Sequence, residues 1–215
     1  PGPVSDLYVG EIAIPEPKPK EIRVKVHAVS LNPVDYKLAG HGNENWSWPH
    51  VLGLDAAGVV DEIGSDVDQL SPGDRVFYHG DLSKSGGFAE YAITTAHTTA
   101  RIPGNVSFAQ AAAIPCAGLT AWRALVDEGR LKAGESVLVQ GSGGVSVFAL
   151  QLAKSMGAHV VATSSSDEKL ERLRDLGADE LINYRTTPEW GREVLTRTGK
   201  AGVDPVVEVG GGGTF

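Results

Sequence analysis

Between Glu21 and about Arg101 the apolar residues fall in short runs rather than long stripes: Ile22 to Val29, Val59 to Ile63, Arg75 to Tyr78 and Phe88 to Thr94. In the first run Val24, Val26 and Ala28 alternate with Arg23, Lys25 and His27, the period of two of a strand with one buried face. Gly and Pro separate the runs, and Pro72-Gly73-Asp74 predicts a tight turn. This half predicts a compact, mostly β domain with no long helix before residue 107, and Ser107 to Leu119 as the crossing segment to a second domain.

From Glu135 the pattern changes to strand, helix, strand, helix, the signature of a parallel sheet with crossover helices. Val137 to Val139 predicts a strand. Val147 to Met156 predicts a helix with Phe148, Leu152 and Met156 on one face, stopped by Gly157. Val160 to Ala162 is a second strand. Ser165 with Glu168 three residues on predicts a capping box opening a helix through Leu176, and Gly177 ends it. Leu181-Ile182 and Pro205 to Val209 are two more strands, separated by a helix from Pro188 to Arg197, and the charged run Asp167 to Asp175 reads as an exposed helix face. Four strands are visible where a complete doubly wound fold has about six, so the chain is expected to be truncated. The glycine run Gly210 to Gly213 reads as a loop or a tail.

The chain has 215 residues, 41% of them hydrophobic, enough for a sizeable core in one or two domains. A formal charge of -8, with no basic stripe, opposes a nucleic-acid partner. The longest apolar stretch, Ala111 to Trp122, is broken by Pro115 and Thr120 and falls short of the ~20 residues of a membrane span. Pro1-Gly2-Pro3 lacks an initiator Met and does not read as a signal peptide. Cys116 is the only cysteine, which rules out an intrachain disulfide and a Cys-rich zinc loop and fits a cytoplasmic location. The six histidines show no ligand spacing and are assigned no role. Trp46 and Trp48 either line a substrate mouth or pack under their loop.

Gln140-Gly141-Ser142-Gly143-Gly144-Val145-Ser146 places G-x-G-x-x-S between a strand and a helix. Gly141 suits the tight turn, Gly143 lets backbone approach a pyrophosphate, and the helix N-terminus beyond supplies N–H donors. Gly141, Ser142, Gly143, Gly144 and Val145 are the candidate phosphate cradle, with Ser146 standing where a third glycine would serve close packing. An NAD site places Asp or Glu about 20 residues after the first glycine. Here that place reads Thr163-Ser164-Ser165, and the nearest carboxylate, Asp167, is explained by helix capping alone. Ser164 and Ser165 can donate to a 2′-phosphate, Lys169 can neutralise it, and Tyr184 follows the third strand, which points to NADPH. The alternative is that the serines cap a helix and Lys169 is solvated. Gly210, after the fourth strand, completes the cofactor-binding candidates.

Several ordered stretches carry a family resemblance: Asn32-Pro33-Val34-Asp35, Gly53-Leu54-Asp55-Ala56-Ala57-Gly58, Pro72-Gly73-Asp74-Arg75-Val76, Gly87-Phe88-Ala89-Glu90-Tyr91, Ala117-Gly118-Leu119-Thr120-Ala121-Trp122 and Ile182-Asn183-Tyr184. With the Gly141 region they cover nearly the whole chain, which resembles the zinc-independent quinone oxidoreductase branch of the medium-chain dehydrogenase/reductase superfamily, truncated at both ends. The resemblance implies an α/β protein: a GroES-like β-rich domain over residues 1–115, then a partial Rossmann-type doubly wound parallel sheet over 116–215, with the chemistry in the cleft between them. Zinc-bearing members hold the metal with Cys, His and Cys. Here those places read Asn32, Leu54 and Cys116, so no metal is expected, and Cys116 reads as a small buried hydrophobe.

Without a metal the implied chemistry is hydride transfer from NADPH to an electrophilic small-molecule acceptor, a quinone or an activated alkene. By resemblance Asn32 and Thr120 lie near the nicotinamide. Tyr36 and Lys37 are donors for the acceptor oxygen, or ordinary surface residues. With Asn32 they are the catalytic candidates. The resemblance also implies a homodimer for the full-length protein. Competing functions are a non-catalytic NADPH-binding structural or redox-sensing protein and an enoyl-thioester reductase. The latter needs a basic groove that is not evident.

Overall fold

The computed structural model describes residues 1–211. They form two compact units, Pro1–Cys116 and the chain from Ala117 onward.

The first unit is built on an antiparallel sheet of β1 (Glu21–Ser30), β2 (Asp55–Ile63), β3 (Arg75–His79), β4 (Tyr91–Thr95) and β5 (Thr99–Arg101), in the order β4-β1-β2-β3-β5. As the alternation predicts, β1 buries Ile22 and Val24 and exposes Lys25 and His27. Central β2 is covered on both faces. Ala56 packs in a cluster with Val24, Val60 and Val76, and Ala57 packs in another with Ile102, Ala111 and Ala112. Here the strand carries the small residues Ala56, Ala57 and Gly58 in succession. A Cβ on Gly58 would stand 2.1 Å from the Lys25 carbonyl oxygen of β1. The Pro72–Asp74 turn forms as expected, with Gly73 at φ +94 and the Asp74 carboxylate accepting from Ser71 N at 2.9 Å.

One expectation fails here. The unit contains a nine-residue helix, α1 (Pro33–His41), where the sequence pattern predicts no long helix before residue 107. Asn32-Pro33-Val34-Asp35 is its start. Asn32 precedes the first helical turn, Pro33 takes the first position, where no N–H is needed, and the Asp35 carboxylate accepts from Asn32 N at 2.7 Å. The segment from Ser107 then forms two short helices, α2 (Phe108–Ala112), capped by Ser107, and α3 (Pro115–Trp122), which runs on into a π-helical turn, Arg123–Glu128.

The second unit has a parallel sheet of β6 (Ser136–Val139), β7 (His159–Ser164), β8 (Glu180–Asn183) and β9 (Val206–Val207), in the order β8-β7-β6-β9, with helices α4 (Gly144–Ser155), α5 (Asp167–Asp175) and α6 (Trp190–Arg197). This is one wing and the first crossing of a doubly wound sheet, whose ligand end lies at the carboxyl ends of the strands. Two details differ from the sequence pattern. The inward face of α4 is Ser146, Ala149, Leu150 and Ala153, while Phe148, Leu152 and Met156 are only partly buried, because small residues let the helix lie close on the strands. The cap of α5 is Ser166, not Ser165; its hydroxyl accepts from Lys169 N. Among the described residues no helix is long and apolar enough to cross a membrane.

An ion pair fastens α4 to the sheet: Lys154 Nζ donates to both Asp179 oxygens, at 2.9 and 2.7 Å, and Val160 N donates to Oδ2 at 2.7 Å. Burial works to raise the Asp179 pKa, but these donors outweigh it and hold it below the ordinary carboxylate range. A folded-state pKa below the unfolded value gives stability that is present above the unfolded pKa and lost as pH falls through the folded one. Asp179→Asn is therefore expected to lower stability at pH 7 by about 1–2 kcal/mol and to flatten the acid limb. Urea unfolding at pH 7 and pH 3 checks this, since the two proteins should converge at the lower pH.

Candidate functional site

In the first unit the polar residues cluster around the start of α1 and the start of β2. Asp35 is buried, and besides capping α1 its Oδ1 accepts from Leu54 N at 3.2 Å, tying the helix to the segment that enters β2. Next to Leu54 stands Asp55, wholly buried. Its Oδ2 accepts from Asn32 Nδ2 at 3.0 Å and from Cys116 N at 2.9 Å, and Oδ1 has no hydrogen-bond partner among the described residues. Burial pushes the Asp55 carboxyl above the ordinary range, against the N–H donors of Cys116 and Asn32 and the neighbouring His79, while the Asp35 charge adds to the rise. Burial, with Asp55 and Asp35 close by, likewise pushes the Cys116 thiol up. Cys116 is half-buried rather than wholly enclosed. Tyr36 and Lys37 are exposed on α1. A mainly apolar cavity of about 540 Å³ in the same unit is lined by the N-terminal arm, Trp46, Trp48, His50 and Phe88. Trp46 stacks on His50 at 3.8 Å and donates to Leu82 O, so it is packed as well as cavity-lining, while Trp48 is largely exposed.

The second unit carries the glycine loop at the carboxyl end of β6. Gly141 has φ +80, a left-handed conformation that glycine adopts freely, and its N–H donates to Thr163 Oγ1 at 3.3 Å. A Cβ on Gly143 would meet nothing within 4 Å, so the loop is open at that point. Gly144 and Val145 begin α4, and the first N–H groups of a helix have no partner within it. Ser146 is buried, and its hydroxyl donates to Gln140 O at 2.8 Å, which explains how a serine replaces the third glycine without leaving a polar group unpaired.

At the end of β7, Ser164 is buried with its hydroxyl 2.9 Å from that of Ser142, and Ser165 is half-buried. Tyr184 N donates to Ser164 O, bringing the ends of β7 and β8 together with the Tyr184 ring exposed. Asp167 is engaged elsewhere, accepting from Asn183 Nδ2 at 2.7 Å. Lys169 is exposed and makes no ion pair among the described residues. Gly210 N donates to the Glu208 carboxylate just beyond β9, and Thr120 is exposed on α3. Gly212 and Gly213, the rest of the glycine run, lie outside the described residues.

Residues 18–104 match the family model of the alcohol dehydrogenase GroES-like domain, and residues 144–215 match that of zinc-binding dehydrogenases. A crystal structure of an NAD-dependent alcohol dehydrogenase is 39% identical with a TM-score of 0.90, over 98% of this chain and 68% of that one. The chain belongs to the medium-chain dehydrogenase/reductase superfamily. Its likeness to quinone oxidoreductases, among them that of Coxiella burnetii at 34% identity and a TM-score of 0.84 over 99% of this chain and 67% of that one, puts it on the quinone oxidoreductase-like branch. Among curated relatives, a zinc-type alcohol dehydrogenase-like protein of Schizosaccharomyces pombe is 41% identical over 90% of this chain and 62% of its own length. The quinone oxidoreductase of Pongo abelii is 37% identical over 97% of this chain and 63% of its own. The Escherichia coli quinone oxidoreductase complexed with NADPH is 31% identical with a TM-score of 0.79, over 89% of this chain and 58% of that one. The chain therefore spans a little under two thirds of the length of these curated relatives.

Two cofactors implied by this superfamily can be tested against the side chains. Zinc does not fit. The three ligand positions present an amide already donating to Asp55, the hydrocarbon of Leu54, and Cys116. Among the described residues no three His, Cys, Asp or Glu side chains are grouped to hold a metal ion. A dinucleotide pyrophosphate does fit, because the left-handed Gly141 and the open face at Gly143 leave room for phosphate at the N-terminus of α4. Sequence reasoning passed over Asp35 and Asp55, which organise the first site. The available signal was a carboxylate inside the otherwise small and apolar run Gly53 to Gly58. Arg185 was also passed over: it is exposed directly after Tyr184 and makes no ion pair among the described residues.

Proposed function

We propose that this chain belongs to an NADPH-dependent oxidoreductase that reduces a quinone or an activated alkene without zinc. The observation that carries the cofactor choice is the chemistry at the ends of β7 and β8. No carboxylate stands at the end of β7 itself: Ser164 ends the strand, the nearest carboxylate, Asp167, begins α5 with its Oδ1 accepting from Asn183 Nδ2, and Lys169 and Arg185 are cations without ion-pair partners among the described residues. A 2′-phosphate is the group such a surface accommodates. The relatives' names divide between NAD and NADPH, so the strand-end residues decide the proposal.

In this proposal the backbone N–H groups of Gly143, Gly144 and Val145 hold the pyrophosphate with Gly141 and Ser142, while Ser165, Lys169 and Tyr184 surround the adenosine end. Ser164 acts by fixing the Ser142 hydroxyl rather than by direct contact, since it is buried. Thr120 and Gly210 remain proposed cofactor contacts. The bound nicotinamide would supply a hydride. Tyr36 and Lys37, exposed on α1, donate to the acceptor oxygen as negative charge develops on it, and Asn32 orients the reacting groups. The mixed apolar and aromatic cavity beside Trp46 and Trp48 suits a flat, uncharged acceptor.

The test is NADPH oxidation by the purified chain against a panel of quinones and enones, with and without a chelator. Acceptor-dependent oxidation that the chelator leaves unchanged is expected; loss of oxidation on chelation would overturn the zinc-free reading. Lys169→Ala is expected to weaken NADPH binding roughly tenfold while leaving NADH unchanged. A parallel loss for both nucleotides, read by nicotinamide fluorescence, would remove Lys169 from the 2′-phosphate site.

A further inference from the structure

We infer that Asp55 is a positioning residue that holds the Asn32 carboxamide in a single orientation, its carbonyl oxygen turned to the start of α1, where it faces the Asp35 N–H of the capping box and keeps a second lone pair for an N–H or O–H donor on a bound ligand. Two N–H donors converge on Asp55 Oδ2, Asn32 Nδ2 at 3.0 Å and Cys116 N at 2.9 Å. The backbone donor cannot turn away, so Oδ2 is an acceptor. A carboxamide facing an acceptor must present its NH₂ group, because the flipped form would set the carbonyl oxygen against a carboxylate oxygen and forfeit the bond. A proton on the carboxyl does not undo this, since it goes to Oδ1, the oxygen with no partner among the described residues. The groups around Asp55 leave the arrangement intact: Asp35 spends its oxygens on the N–H groups of Asn32 and Leu54, and His79, paired with Asp55 across β2 and β3, has Nδ1 on the Gly80 carbonyl.

Asp55 is wholly buried in the strand and Asn32 is only half-buried, so the carboxylate touches no ligand and its effect passes through the amide. That Asn32 takes part in the reaction rests on the proposed function. The geometry makes Asn32 an acceptor toward ligand, selecting compounds that carry a donor, such as a carboxamide or a hydroxyl.

The test pairs spectroscopy with a mutant cycle on the full chain. In protein labelled with ¹⁵N-asparagine, the five asparagines give five side-chain NH₂ pairs. One pair is expected to hold a downfield, exchange-protected proton that vanishes in Asn32→Ala and returns to the common range in Asp55→Asn. With NADPH and 1,4-benzoquinone, Asn32→Ala and Asp55→Asn should each lower kcat/KM by roughly tenfold to a hundredfold, mostly in kcat. The double variant should be no worse than Asn32→Ala alone. A purely structural role predicts additive losses and an unmoved amide signal, and either result overturns the inference. If the wild type shows the shifted amide yet transfers no hydride from NADPH to 1,4-benzoquinone, the proposed reaction fails and the positioning stands. If Asp55→Asn does not fold, the comparison of wild type with Asn32→Ala decides, and absence of a protected amide proton overturns it.

Discussion

Gly143→Val is expected to abolish measurable NADPH binding while leaving the chain folded. The two halves of that result have separate causes. Gly143 has ordinary backbone angles, and a Cβ there meets nothing within 4 Å, so the protein itself accommodates a larger residue. The space the valine would fill is the approach to the first N–H groups of α4, where a phosphate is stabilised by unpaired donors and the helix dipole. Losing that approach is expected to weaken binding by about 100-fold or more, roughly 2.7 kcal/mol. Fluorescence titration reads the affinity and circular dichroism the fold. Unchanged affinity in a folded variant would place the phosphates elsewhere.

Gly58→Ala has the opposite character: a large loss of stability from a single methyl group. Its Cβ would stand 2.1 Å from the Lys25 carbonyl oxygen and 2.8 Å from a Val24 methyl, separations that no relaxation of a flexible side chain can relieve. Strands β1 and β2 must move apart, and β2 carries both cores of the first unit. A loss of about 3 kcal/mol is expected, at the upper end of overpacking effects, read as a lower denaturation midpoint. Gly104→Ala, with nothing within 4 Å, is the matched control and should leave the midpoint unchanged.

What the sequence disclosed follows from which forces write themselves into a pattern. The alternation of β1, the strands of the parallel sheet and the glycine loop were legible because apolar burial and backbone conformation each demand particular residue types. Helix α1 was not, since a buried carboxylate bonded to the N–H groups of Asn32 and Leu54 holds it and an apolar stripe does not. The inward face of α4 was misjudged because periodicity favours large side chains, whereas close helix–sheet packing selects Ser146, Ala149 and Ala153. With three serines in a row, spacing alone could not tell that Ser166, one residue later than the Ser165–Glu168 box, caps α5. The Asp55 site was hidden for a deeper reason. Its three partners, Asn32, Asp55 and Cys116, are far apart in the chain and meet only through the pairing of β1 with β2 and the placing of α3.

The most direct test of the central claim is a titration of the purified chain with NADPH and with NADH, followed by nicotinamide fluorescence. Tighter binding of NADPH, by roughly tenfold or more, is the expected result, because the ends of β7 and β8 offer cations and hydroxyls and the nearest carboxylate, Asp167, is engaged with Asn183. Equal or tighter binding of NADH would contradict the 2′-phosphate site and the cofactor assignment that depends on it.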